Sequence, residues 1–316
     1  MTTTHLAHWD EAARVRRAAG EIATWMTDLG TAAATVAIGL RRWEIDPGAR
    51  PTPPHAHGAE EEVLYVLAGS GLVWQDGATC EVTAGDCIVH RADEEAHTLR
   101  AGPDGLDVLA FGMREHVETC YHPHSGRAWA GATIVQADGP GDMFAFDAEA
   151  GPLGWAAPGP RPANVVATAD VPEYESGEGD CGSVWRDLAA AAGAARTGLN
   201  LGRCRPGMLQ YPPHCHSAEE ELFVVLDGSG TCHLGEDEHP LRPGHVVSRP
   251  AGTGVAHALR GGSDGLTFLA YGTRETNDMA YFPRSDKIYW RGLGIIGRVE
   301  RTAYWDGERD VAPPAQ

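Results

Sequence analysis

Basic residues are scarce in this chain. Arginine and lysine together number 25 against 44 aspartates and glutamates, a formal net charge of −19 over 316 residues. Such a surface repels phosphate, which argues against a nucleic-acid partner. Long apolar runs are missing as well. No stretch has the length and apolarity of a membrane span, and the opening MTTTHLAHWDEAARVRRAAG has no apolar signal core. The seven cysteines (Cys80, Cys87, Cys120, Cys181, Cys204, Cys215 and Cys232) are odd in number and scattered, with no C-x-x-C pair. A disulfide framework is therefore not expected, and a reducing, cytoplasmic setting is. Helical signals are confined to Ala-rich parts of 11–19 and 187–196.

What the chain does have is glycine (40) and proline (21), a composition that suits many tight turns between short strands. It also has one sentence written twice. PPHAHGAEEEVLYVLAGSG at 53–71 returns as PPHCHSAEEELFVVLDGSG at 212–230, an offset of 159. AHTLRAGPDGLDVLAFGMRE at 96–115 returns as AHALRGGSDGLTFLAYGTRE at 256–275, an offset of 160. A repeat of half the chain is of domain size, not of solenoid size. Between the copies, AGPLGWAAPGPRPAN at 150–164 has the Gly/Pro/Ala composition of a linker. The expected units are 1–150 and 164–316, joined through 151–163.

Each copy has a β texture: EEVLYVL, LVWQ, DCIVH and LDVLAFG are separated by AGSG, QDG, TAGD and GPDG. A sandwich or closed barrel per copy follows. His55 and His57 stand two apart. On a helix they would point to nearly opposite sides, whereas on a strand they share a face about 6.6 Å apart, close enough to lean onto one metal ion. Of the three glutamates that follow, Glu62 begins the apolar run and shares a face with Leu64 and Val66. Glu62, and Glu221 in the second copy, are therefore the expected ligands, with the adjacent carboxylates solvated or near a cavity mouth. His97 and His257 close the two constellations.

H-x-H-x4-E-x6-G, followed by a Gly-led segment ending in His, resembles the two-part motif of the cupin superfamily. His55, His57, Glu62, Gly69 and His97 match it, as do His214, His216, Glu221, Gly228 and His257. The likeness covers roughly 36–115 and 196–275. It implies an all-β chain of two tandem jelly-roll (double-stranded β-helix) barrels with a few short helices, a bicupin. It also implies a divalent transition metal in each barrel: Fe, Mn, Ni, Zn or Cu. Four protein ligands on a six-coordinate ion leave two positions open, as an enzyme requires. Gly48 and Gly207 stand one residue further from the first histidine than the motif has them, and copy 1 reads RADEEAH where copy 2 has RPAGTGVAH.

Three functions remain in contention. The first, and the expected one, is a non-haem metal dioxygenase acting on a small organic substrate, with Glu62 or Glu221 taking a substrate proton. The second is redox-neutral decarboxylation or isomerisation of an organic acid or sugar, the metal serving as a Lewis acid. The third is a non-catalytic metal or small-molecule binding module. An oxalate-type decarboxylase would use an arginine near the first ligand and an acidic lid; Arg50 precedes His55 by five residues, while copy 2 has Leu209. Trp43, Trp74 and Phe111 would suit an aromatic or extended substrate. Trp74 aligns with His233: if that strand face lines the barrel, His233 offers an extra proton-transfer group to the second site, and if not it is a surface hairpin residue near GEDEH. His116, Glu118, Cys120, His122 and His124 read as a surface or interdomain loop, and Cys215 as a buried packing thiol. Barrels of this kind can pack through sheet faces, which allows a homo-oligomer.

Overall fold

The computed structural model describes residues 5–130, 133–135 and 142–308. Two eight-stranded sheets dominate it, each faced by a four-stranded sheet. The first large sheet runs Val165–Ala167, Asp86–His90, Glu62–Gln75, His97–Met113, Ile38–Ile45, Ile22–Asp28 and Arg14–Ala19, with Ala78–Thr83 paired to Glu62–Gln75. The second has the same order: Leu6–His8, His245–Arg249, Glu221–Leu234, His257–Thr273, Thr197–Cys204, Ser183–Asp187 and Tyr174–Ser176, with Asp237–Leu241 beside Glu221–Leu234. The small sheets hold Ala56–His57 and Cys215–His216 at one edge each. The chain is thus all-β, two jelly-roll barrels with three short helices among the described residues, as the repeat and the likeness led one to expect.

The long strand of each copy bends at its motif glycine. Gly69 and Gly228 have φ of +83° and +78°. A Cβ at either would lie 2.3 Å from the carbonyl oxygen of Gly105 or Gly265 on the neighbouring strand, so only glycine lets the strands approach there. On either side of that bend, residues alternate between two buried surroundings. Leu64 and Val66 face the interior of the first barrel, with Glu62. Val63 and Tyr65 face outward into a core shared by both barrels, against Leu222, Val224, Leu269 and Tyr271. Phe111 lies in that shared core and packs at a tilt against Tyr271, its own counterpart 160 residues on, with ring centroids 4.9 Å apart.

Two carboxylates lock this junction reciprocally. Glu61 accepts hydrogen bonds from the backbone of Ala195 (2.8 Å) and Thr197 (2.9 Å) and from the Thr197 hydroxyl (2.6 Å). Glu220 accepts from the backbone of Val36 (2.8 Å), Ala37 and Ile38 (3.1 Å). Both are 1% exposed. This corrects the expectation of solvated neighbours beside Glu62 and Glu221: alternation does turn them away from the ligands, but the opposite face of each sheet is the junction, not solvent.

The barrels also exchange strands. Leu6–His8, which precedes the first barrel, pairs with His245–Arg249 of the second sheet; Val165–Ala167, which precedes the second, pairs with Asp86–His90 of the first. Residues 151–163 carry no regular structure but lie along the first barrel. Leu153 is buried, Thr79 donates to the carbonyl of Ala156, and Arg161 pairs with Asp86. The helix expected within 11–19 is a strand, Arg14–Ala19, turned back on Ile22–Asp28 at Gly20 (φ +55°) and held by Arg16 to Asp46. The second helical segment is a single turn, Leu188–Ala191, capped by Asp187.

Candidate metal centres

In the first barrel His55, His57, Glu62 and His97 converge, each offering an atom within 4.8 Å of the others. The small sheet supplies His57, the large sheet Glu62 and His97. The backbones of His55 and His97 are hydrogen-bonded to each other at 3.1 and 2.9 Å, so their relative position is set by the ladder and not by side-chain packing. His214 and His257 repeat this at 3.2 and 2.8 Å. In the second barrel His214, Glu221 and His257 form the cluster, and Nε2 of His216 lies 3.3 Å from Glu221 Oε2. All eight residues expected as ligands are brought together in two fours.

The donor set fits a cation. Nε2 of His57, His216 and His257 are buried without a hydrogen-bond partner, although His257 Nε2 stands 2.7 Å from Glu221 Oε2. Imidazole nitrogens that face a carboxylate without hydrogen-bond alignment are arranged for a shared centre. His55 Nδ1 lies 2.9 Å from the carbonyl of Pro53, and His214 Nδ1 lies 2.8 Å from that of Pro212, which leaves Nε2 of each as the free nitrogen.

Glu118, which the sequence placed in a loop, and Asp278, which no motif marked, complete the orientation. Glu118 Oε1 lies 3.2 Å from His57 Nδ1, and Asp278 Oδ2 lies 2.7 Å from His216 Nδ1. Both carboxylates also accept backbone N–H groups of the following turn, Gly58 to Glu60 and Ala218 to Glu219. Glu118, Cys120 and His122 are buried and Thr119–His122 is a strand, so within 116–124 the exposed loop is confined to the ends, as at His116 and Val117. The available signal was a pair of acids at an offset of 160 inside a stretch that otherwise matches poorly.

Burial alone would raise Glu62, yet the hydrogen bond from His97 and the nearby His57 and His55 hold its carboxyl well below the usual range. Glu221 is held low in the same way by His216 and His257. Burial would lower His216, but Glu221 and Asp278 outweigh it and raise the imidazole to about 10. His214, mainly through desolvation, falls to about 4.

The surroundings of the two clusters differ. A cavity of about 510 Å³ leads to the first, walled by Arg17, Arg41, Trp43, Trp129 and Phe144 and reaching His55, His57 and His122. Behind it a recess of about 70 Å³ continues past Arg41 and Trp43 to Glu62 and His97. In the second barrel the place of Arg41 is taken by Asn200, of Trp43 by Gly202, of Met26 by Trp185 and of His122 by Phe282. Phe268 and Trp185 close over Gly202, and Phe282 stacks on His214 at 5.5 Å. The extra imidazole is therefore in the first barrel, not the second: His122 stacks on His55 at 5.8 Å, and burial lowers it to about 4.

Other expectations need correction. His233 pairs with Glu238 on an outer hairpin, and Trp74 donates to the carbonyl of Gly154 beneath the linker. Their strand turns Val73 and Cys232 inward instead. Arg50 is not in the cavity; its guanidinium is buried against Asp147 (2.8 Å) and Glu21 (3.4 Å). Of the three aromatics, Trp43 alone lines the cavity. Cys215 is buried, as expected, and all seven cysteines are free.

The cupin domain family matches residues 41–109 and 201–270, which span both clusters' strands. The chain is a two-domain cupin. No curated protein matches its sequence. Among solved structures it is similar to a deletion mutant of Bacillus subtilis oxalate decarboxylase, at 15% identity and a TM-score of 0.58 over 86% of this chain and 77% of that one. The same enzyme at pH 4.6 gives 15%, 0.57, 86% and 76%. A structure from work on its Mn(II) centres gives 14%, 0.57, 88% and 79%. At this identity the bicupin shares their fold. Its own residues must speak for its chemistry. No helix among the described residues is long and apolar enough to cross a membrane.

Proposed function

We propose that this bicupin is a metal-dependent enzyme whose reaction centre is the first barrel and whose substrate is a small organic acid, transformed by redox-neutral chemistry, decarboxylation foremost. The observation that carries this is the wide cavity that narrows onto His55, His57, Glu62 and His97, against an aromatic-packed counterpart in the second barrel. A divalent metal held by those four residues would supply Lewis acidity toward a carboxylate or enolate. In the second barrel, His214, His216, Glu221 and His257 would hold a second ion whose role is to brace the fold. The two units, 1–150 and 164–316, are proposed as the barrels' boundaries, with the exchanged strands crossing between them.

The side chains divide the work. Glu62 engages His97 through Oε2; its Oε1 is the proposed proton acceptor in the first barrel, and Glu221 has the matching place in the second. His122 is neutral at ordinary pH and buried, with Nδ1 unpartnered at the cavity wall, where it can donate to or accept from a bound ligand. Trp43, Trp129 and Phe144 exclude water around it. Oxalate decarboxylases among the structural neighbours support a redox-neutral reaction, whereas the oxygenase reading rests on the donor set alone.

The test begins with metal analysis of anaerobically purified protein and of the His55→Ala/His57→Ala and His214→Ala/His216→Ala double variants. Two metals in the parent and one in each variant are expected. Organic acids are then screened for CO₂ release and oxygen uptake together. Turnover lost only in the first-barrel variant, without oxygen uptake, supports the proposal. Stoichiometric oxygen uptake restores the dioxygenase, and absence of metal after reconstitution overturns the enzyme reading.

A further inference from the structure

The first cavity carries a solvent-exposed cationic group that no acid among the described residues pairs. Arg41 lines both the outer cavity and the inner recess. Among the described residues its guanidinium makes no ion pair and no hydrogen bond. Its neighbour Arg42, on the opposite face of the strand, is held by Asp107 at 3.0 and 2.7 Å. A second guanidinium at the wall, Arg17, is stacked over Phe144 at 5.5 Å. One acidic side chain stands at this wall, Asp142, whose Oδ1 accepts from the backbone of Phe144 at 2.9 Å and which makes no ion pair with either guanidinium among the described residues. In a chain of net charge −19, unpaired guanidinium beside a carboxylate-bearing ligand cluster marks an anion site.

The volume and walls set the rest of the ligand. The recess of about 70 Å³ holds little more than a carboxylate, while the cavity of about 510 Å³ before it is walled by Trp43, Trp129 and Phe144. A two-carbon acid would leave that aromatic-walled volume wet, whereas an aryl group would desolvate it. The second barrel has Asn200 and Gly202 at these positions; the guanidinium near its cluster, Arg249, is buried and donates to the carbonyl of Val255 at 2.9 Å, away from any comparable aromatic-walled cavity among the described residues.

We propose that the first barrel selects a monocarboxylate bearing an aromatic body, its carboxylate held by Arg41 beside the ligand cluster and its ring seated between Trp43, Trp129 and Phe144. This rests on the reading of the first barrel as the reaction centre and narrows its substrate class away from oxalate.

The probes are 3-phenylpropanoate, its uncharged amide, and oxalate, titrated into the metal-loaded full chain while tryptophan fluorescence and heat are followed. Metal content is measured on the same samples, so a failure of metal binding is seen separately from a failure of selectivity. Expected is binding of 3-phenylpropanoate at least about tenfold tighter than of oxalate or the amide. Arg41→Gln should lose at least about tenfold for the acid and nothing for the amide, with metal content and melting temperature unchanged. Arg41→Lys should fall between, since it keeps the charge but not the fork. Oxalate binding as tightly as the aryl acid, acid and amide binding equally, an Arg41→Gln variant at parental affinity, or no binding to metal-replete protein would each overturn the proposal.

Discussion

Replacing Glu61 with alanine should loosen the whole molecule, not the first site alone. Its carboxylate is 1% exposed and receives the backbone N–H groups of 195–197 together with the Thr197 hydroxyl, all from the other barrel. Truncation strands one buried and two part-buried backbone donors, the buried one costing about 1–3 kcal/mol when left unmade and the others less. Part of that is offset because the buried charge no longer has to be desolvated, so a net loss of about 3–5 kcal/mol is expected. At about 2.1 cal/mol/K of unfolding entropy per residue, a chain of this length loses roughly 5–8 °C of melting temperature. Glu61→Gln keeps an acceptor but not the charge and should lose about half as much. The assay is thermal and urea unfolding of chelator-treated protein, followed by far-ultraviolet circular dichroism. Glu220→Ala serves as the symmetric partner and should match it. A loss below about 1 kcal/mol in both variants would refute the view that these carboxylates fasten the barrels together.

Glu118→Gln and Asp278→Asn should each weaken metal binding in their own barrel by about 10–100-fold, because the histidine they orient loses its partner; chelator competition measures this, and a change under about threefold would show that they orient nothing. Metal entering the second barrel must displace a proton from His216, which Glu221 and Asp278 raise to about 10. In the metal-free protein that proton's stabilisation is complete below pH 6.5, the ordinary value, and is lost as pH rises toward 10. Affinity for the metal should therefore climb between pH 6.5 and 9, by at most about tenfold per unit, with one proton released per ion in calorimetry in two buffers; none released would contradict it. Asp147→Asn removes the charge that faces buried Arg50 and also the partner of His124 at 2.8 Å. It should cost about 3–5 kcal/mol, with faster amide hydrogen exchange across Met143–Glu149 at the cavity wall; unchanged exchange would sink the idea that this pair pins the helix.

The ligands were legible because each group is local or repeated. Two histidines on one strand face, a glutamate at the head of an alternating run and a closing histidine recur at matched offsets, and strand alternation alone chose Glu62 over Glu61. The orienting acids were not legible, since Glu118 lies 61 residues from His57 and reaches it only through the pairing of Cys120 with His57. Glu61 and Glu220 were misplaced for a different reason. Alternation tells which way a side chain points but not whether that side meets water, and here both sides of the sheet are covered. Arg41 escaped notice because it lies outside the motif, in a strand whose neighbour Arg42 looks equivalent until the cavity separates their faces.

The exchanged strands also bear on ancestry. Each is three residues long, precedes its own barrel, and closes the sheet of the other in the same register: Leu6 against Val247, Val165 against Ile88. This is the geometry of an arm-swapped homodimer in which a linker has joined one subunit to the next. A single-barrel chain of this design would find its missing edge strand only on a second copy of itself. Once fused, the two copies no longer depend on concentration to meet. One could then give up its cavity to aromatic packing while the other kept its own, without any loss of pairing.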